Sequence, residues 1–217
     1  MSNEFIDNKR VAIVGNAISL LELDYAKEID DHEVVIRINN TAVSHTDAAG
    51  TKIDIWAFND KVNYENRMST PQSVKQRNLY FDYKKKNGVT LDLSLHSNRQ
   101  GGVFWNEDWR TPGVDRNKHS VKLKKDIIKR FKHPSCGVVL VSIIGSHNPT
   151  SVSLYGFDWK RTATFQAEGN HRFIVKKEDE DGNIIHRYDS QHRHNYDSEE
   201  EYIRNHFLTR DNWKLCW

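Results

Sequence analysis

The sequence predicts an α/β fold, a single Rossmann-type α/β/α sandwich around a mainly parallel sheet of about seven strands. Three observations lead there. Short apolar runs with β-branched members recur along the chain, as in VAIV at 11–14 and EVVIRI at 33–38. Runs of this kind suit strands covered on both faces, which is how parallel sheets are built. Apolar or amphipathic stretches of helical length alternate with them, and several runs end in Gly, Asn or Asp.

Taken in order, the first strand is 11–14 and ends at Gly15-Asn16. ISLLELDYAKEID then carries Leu20, Leu21, Leu23 and Ile29 and reads as a helix or a turn-rich connection. HEVVIRINN forms a second strand ending in Asn39 and Asn40, and KIDIWAFND a third, with Ile53, Ile55 and Ala57 on one face. NLYFDY (78–83) and GVTLDLSL (88–95) read as strands, and 96–118, rich in Asn, Gly, Arg and Trp, as a surface loop. SCGVVLVSIIGSHN is an apolar run with no helical stop before Gly145, so a buried helix is expected to begin near Ser135. VSLYGFDW (152–159) is a further strand with a glycine turn, and HRFIVKKEDEDGNIIHRYD is a hairpin or a flap. The last helix, EEEYIRNHFL, follows Asp197-Ser198, which offer N-cap side chains.

The bulk numbers bound the function. A chain of 217 residues suits one domain, 1–217, with a lid expected over 161–185. Its 37% hydrophobic and 29% charged residues exclude wholesale disorder. The net charge of +2 mixes both signs, and no nucleic-acid partner is expected. The one concentrated basic segment, KLKKDIIKRFKH (122–133), has Leu123, Ile127, Ile128 and Phe131 at helical spacing and reads as an amphipathic helix with a solvated lysine face. Cys136 and Cys216 make no disulfide framework. No apolar run approaches the roughly 18 residues of a membrane span, and the polar start lacks a signal-peptide core, so a cytoplasmic protein is expected. The tail WKLCW is apolar enough for weak peripheral membrane contact, but a buried terminal segment suits it better. The sequence sets no oligomeric state.

In open α/β sheets, ligands sit beyond the carboxyl ends of the strands. That rule brings Gly15-Asn16, Asn39-Asn40, Asn59-Asp60 and Gly156–Asp158 to one cleft. A dinucleotide fingerprint needs three glycines for turn, pyrophosphate approach and helix packing, and the GNAISL loop has one. His171, His186, His192 and His194 invite a metal reading, but no closely spaced Cys or acidic partner completes a site, so no metal is expected. Trp105, Trp109 and Trp159 are candidates to stack on a sugar.

Four segments in one order resemble the sialyl motifs of the family 29 sialyltransferases. The stretch from Val11 to Asn59 resembles the large motif, through Val14-Gly15-Asn16, Glu28-Ile29-Asp30, Arg37-Ile38-Asn39 and Gly50-Thr51-Lys52. PSCGVVLVSIIGSHNPTSVSLYGFDW (134–159) is similar to the small motif, HRYD (186–189) to the third, and HNYDSE (194–199) to the last, a His with Glu five positions later. The GN-x-x-SL-x-x-x-DY opening is also similar to the family 42 bacterial sialyltransferases.

The resemblance implies a GT-A-like variant fold and an inverting, metal-independent transfer of sialic acid from CMP-sialic acid to a hydroxyl of an acceptor glycan. CMP-sialic acid is then a donor substrate, and no further cofactor is implied. By position, Asn16 and Asn39 would hold the CMP phosphate and ribose, with Gly156 lining the same donor site. Ser135, Cys136 and Gly137 would bind the nucleotide at a helix start, where free N–H groups suit an anion. His186 and Tyr188 would stabilise the leaving phosphate, and His194 would be the general base. Chemistry supports the last role on its own: an acceptor hydroxyl needs a base whose pKa is near working pH, and histidine has one at about 6.5. The dipole of the helix that follows disfavours imidazolium, while nearby carboxylates favour it. The disulfide that joins the large and small motifs in animal members is not expected, since Val11 stands at one of its places. Two other readings stay open: a CMP- or glycan-binding module of this fold without turnover, and a transferase using another CMP-sugar such as CMP-Kdo.

Overall fold

The computed structural model describes residues 5–38, 46–58, 86, 91–94, 102–105, 120–122, 127, 130–131, 134–159, 175–178, 184–187 and 195–216. Its ten strands are β1 (Arg10–Val14), β2 (Val34–Ile38), β3 (Ile55–Phe58), β4 (Leu91–Ser94), β5 (Gly102–Trp105), β6 (Ser120–Lys122), β7 (Ser151–Tyr155), β8 (Val175–Glu178), β9 (Ile184–Arg187) and β10 (Trp213–Cys216). The helices are α1 (Ala26–Asp30), α2 (Thr46–Ala49), α3 (Cys136–Ile144) and α4 (Tyr196–His206), with a 3-10 turn at Ile18–Leu21. Eight strands form one sheet in the order β10-β7-β1-β2-β3-β4-β5-β6. It is parallel from β10 through β4 and antiparallel from β4 to β6. The expected α/β class and mainly parallel sheet are therefore found.

The central strands are apolar at nearly every position because both faces are covered. All of β2 is buried, as is β1 after Arg10. Val11, Ile13, Ile36 and Leu154 face a core shared with Val139, Leu140 and Ile143 of α3 and Tyr202 and Ile203 of α4. Ala12, Val14, Val35 and Tyr155 face the other way, onto Leu20, Ile29 and Ala49. Residues of one strand thus alternate between two layers of helices, the α/β/α sandwich.

The chain runs from β1 outward through β2, β3 and β4, then returns to lay β7 on the opposite side of β1. Neighbouring connections diverge between the carboxyl ends of β1 and β7, and such a switch point opens a crevice for ligands. Among the described residues no helix is long and apolar enough to cross a membrane.

Several expectations change. The stretch 96–118 contains β5 rather than being loop throughout. Lys122 closes β6, so the basic segment does not start as a helix; a helical turn is seen further on, where Phe131 N–H donates to Ile127 O at 2.9 Å. The helix α4 starts at Tyr196 with Asn195 as its N-cap, its side chain accepting from Ser198 N–H, rather than with Asp197-Ser198 as caps. The tail WKLC is not merely buried but is the edge strand β10, paired parallel to β7. Of the two readings of 171–189, the hairpin agrees with the structure, in which β8 pairs antiparallel with β9. NLYFDY, and the rest of the lid expected over 161–185, lie outside the described residues apart from that hairpin.

Candidate nucleotide-binding site

Two glycines bring the carboxyl ends of β1 and β7 into contact. Gly15 N–H donates to Tyr155 O at 2.7 Å, and Ala17 N–H to Gly156 O at 3.2 Å. A Cβ on Gly15 would overlap the Gly156 carbonyl oxygen and lie 3.2 Å from Phe157 Cδ2. Gly156 itself has φ +65, the left-handed region that favours glycine. The glycine of Val-Gly-Asn therefore serves a backbone approach between β1 and β7, which is why one glycine suffices.

The same ring joins the loop to α3. Phe157 Cε1 would be 3.2 Å from a Cβ on Gly137, so the ring of Phe157 reaches from Gly15 to the head of that helix. Gly15 at the end of β1 and Gly137 in the first turn of α3 thus both lie against the buried phenyl ring that follows Gly156. Ser135 is the N-cap of α3, and its Oγ accepts from Val138 N–H at 3.3 Å. Asn39 directly follows β2, at the same end of the sheet in sequence, and lies outside the described residues, as do Tyr188 and His194. His186 is placed in β9, paired with Lys176 of β8. The cysteines Cys136 and Cys216 are free thiols, as expected. Trp159, at the end of the β7 turn, has a left-handed backbone (φ 49) and the guanidinium of Arg204 5.2 Å from its ring centre. Among the described residues no group of three or more His, Cys, Asp or Glu is arranged to hold a metal.

One residue given no role from sequence proves central. Glu199, in the first turn of α4, is 2% exposed. Its Oε1 accepts the Ser135 backbone N–H at 2.7 Å, and its Oε2 accepts the Ser135 hydroxyl. Burial pushes its carboxyl up to about 7, against the two Ser135 bonds that pull it down. The signal in the sequence was the Glu five places after His194, but the run EEE reads as a solvated helix start.

The raised carboxyl has a stability consequence whose sign follows from linkage. The unfolded chain ionises Glu199 near its ordinary value, whereas the folded chain holds the proton to about 7. Stability from this group is therefore full below the ordinary carboxylate range and is lost as pH rises to 7. Glutamine is close in shape to the protonated acid. We expect Glu199→Gln to match the wild type near pH 4 and to be more stable by about 3 kcal/mol at pH 8. Urea midpoints at the two pH values measure this, and a variant less stable than wild type at pH 8 contradicts it.

Other residues of the stretch from Val11 to Asn59 that resembles the large motif belong to the frame. Asp30 accepts from Thr51 N–H at 2.8 Å and Lys52 N–H at 2.9 Å, and so closes the turn at Gly50. Glu28 accepts from the Tyr155 hydroxyl at 2.8 Å and from Lys214 Nζ at 2.7 Å, tying α1 to β7 and β10. Arg37, fully buried in β2, donates to the carbonyls of Ala49 at 2.7 Å and Lys52 at 2.8 Å.

The model of glycosyltransferase family 29 (sialyltransferase) matches residues 4–207. The chain belongs to that family. It is a glycosyltransferase of the sialyltransferase kind. Among solved structures, it is similar to the sialyltransferase CstII from Campylobacter jejuni in complex with the substrate analogue CMP-3FNeuAc, at 16% identity and a TM-score of 0.52, over 95% of this chain and 80% of that one. That likeness is one of fold. A mammalian sialyltransferase matches at 18% identity and a TM-score of 0.45, over 96% of this chain and 69% of that one. A search of curated protein sequences finds no match.

Proposed function

We propose that this family 29 member moves sialic acid from CMP-sialic acid to a hydroxyl of an acceptor glycan, with inversion and without a metal. The observation that carries the reading is the meeting of the Asn16 loop, the Gly156 turn and the head of α3 around Phe157 at the switch point. The positive end of a helix suits the phosphate of CMP. Cys136 and Gly137 stand at that start, and Asn16, beside Gly15, and Asn39, next in sequence after β2, are assigned to the same donor.

The chemistry needs two proton-handling groups. In one displacement the acceptor oxygen bonds to the anomeric carbon as the bond to the CMP phosphate breaks, and inversion follows from attack opposite the leaving group. His194 takes the acceptor's proton. The electron pair of the broken bond stays on the phosphate oxygen, so CMP leaves with a second negative charge, and His186 and Tyr188 are the hydrogen-bond donors that stabilise it. A metal is not required by this arrangement.

The test is CMP release from CMP-sialic acid with a panel of acceptor glycans, with and without EDTA. We expect acceptor-dependent release that EDTA leaves unchanged, and a product with inverted anomeric configuration. A protein that binds CMP but turns over nothing on that panel is instead a binding module of the same fold. Preference for CMP-Kdo in direct competition would reassign the donor.

A further inference from the structure

Both donors of Ser135 are taken by one buried carboxylate, which is an unexpected arrangement at the head of a helix read as an anion site. We propose that Glu199 is a positioning residue for the nucleotide phosphate: binding of the anion at the head of α3 is coupled to uptake of one proton by Glu199, and that proton redirects the Ser135 hydroxyl to the phosphate. The inference rests on the reading of Ser135-Cys136-Gly137 as the nucleotide-binding turn.

The argument is one of hydrogen-bond inventory. An ionised carboxylate only accepts, so the Ser135 hydroxyl must give its proton to Glu199 Oε2 while its Oγ accepts from Val138 N–H. A protonated Glu199 keeps the same heavy-atom contacts with one bond reversed. Its O–H donates to Ser135 Oγ, and its other oxygen still accepts the Ser135 N–H. Oγ then accepts two bonds, and the hydroxyl proton is released for a third partner. No covalent bond changes; one proton comes from solvent for each anion bound.

Electrostatics acts in the same direction. A phosphate brought toward a buried carboxylate meets repulsion in a medium that screens poorly, and protonation removes it. Burial already holds Glu199 near neutrality, pushed up to about 7. The titratable group shown to feel Glu199 is Tyr196, raised by burial first, then by Glu199 and by Cys136. Glu200, its neighbour in sequence on α4, is also buried and is paired with Arg204 at 2.8 Å. Ser135 bonds, rather than a cation, oppose the desolvation of Glu199.

Calorimetric titration of the full chain with CMP at pH 7.5, in buffers of different ionisation enthalpy, reads the coupled protons directly. A group that ionises near 7 when free and stays protonated when CMP is bound takes up about three quarters of a proton at that pH. The wild type is expected to exceed Glu199→Gln by that amount; the titration of CMP's own phosphate is common to both and cancels. Glutamine copies the protonated acid, so the variant is expected to bind CMP about tenfold more tightly than wild type at pH 8 and equally at pH 5. Adding Ser135→Ala to Glu199→Gln is expected to weaken CMP binding several-fold, because the hydroxyl now donates to the ligand. Equal proton uptake, weaker binding by Glu199→Gln at pH 8, or no effect of Ser135→Ala each overturns the inference while leaving CMP binding intact. A wild type that does not bind CMP removes the functional reading itself, and the inference with it.

Discussion

Arg37→Ala is expected to cost about 3–5 kcal/mol of folding stability, the scale set by breaking a fully buried, paired charge. Arg37 stands on β2 opposite Val14 of β1 and Trp56 of β3, with no exposed surface. Its Nη2 donates to Ala49 O at 2.7 Å and its Nε to Lys52 O at 2.8 Å, while Asp30 Oδ1 lies 3.7 Å from Nη2. One side chain thus ties the central strand to the C-terminal end of α2 and to the turn that Asp30 closes. Truncation leaves two carbonyls without these donors and Asp30 without its nearest cation. Arg37→Met replaces the bulk but neither donor, so it should also be destabilised, by about 1–3 kcal/mol. Urea unfolding measures both. If the methionine variant is as stable as wild type, the carbonyls need no donor there and the framework role assigned to Arg37 fails. The same experiment guards against a misreading: an inactive Arg37 variant would report a damaged fold and not a lost substrate contact.

The central strands were legible because burial on both faces writes itself as short, mainly apolar, β-branched runs, as in VAIV of β1 and VVI of β2, although Arg37 and Ser153 are buried among them. Helix α3 was legible for a related reason. Seven of its residues, from Val138 to Ile144, are buried, and Ser135 caps it where the sequence placed its start. Strand β10 was not legible, since an edge strand of four residues with one buried position carries neither a run nor a clear alternation. The cap of α4 was obscured by abundance: Asn195, Asp197 and Ser198 all suit the position, and only geometry shows that Asn195 takes the Ser198 N–H.

At the site the limit was different in kind. Gly15 is visible in the sequence, but its reason is a carbonyl 141 positions away, at Gly156, and composition holds no record of that approach. Glu199 shows the same gap more sharply. Three consecutive glutamates read alike, yet Glu199 and Glu200 are buried while Glu201 is exposed. What separates them is the rotation of α4 against α3, a property of packing rather than of local pattern.

His194→Ala is expected to lower kcat by about 10²–10⁴-fold, the range for removal of a general base, while leaving the Kd for CMP within about twofold. In the proposed displacement the acceptor's proton is lost only as its oxygen bonds to the anomeric carbon, so the base would act in the transition state and not in donor binding. The split between kcat and donor affinity is therefore the diagnostic. His194 immediately precedes Asn195, which caps α4, and Glu199 binds the first turn of α4 to the head of α3. A sound fold in His194→Ala, shown by an unchanged urea midpoint, is part of the expectation, which sets it apart from Arg37→Ala. The pH profile adds a second handle: wild-type kcat should rise through the range where histidine loses its proton, near 6.5, and the variant should lose that limb. If CMP affinity falls together with kcat, His194 holds the donor, and the base must be sought elsewhere, His186 first. If neither changes, the last motif serves the fold through Glu199 alone.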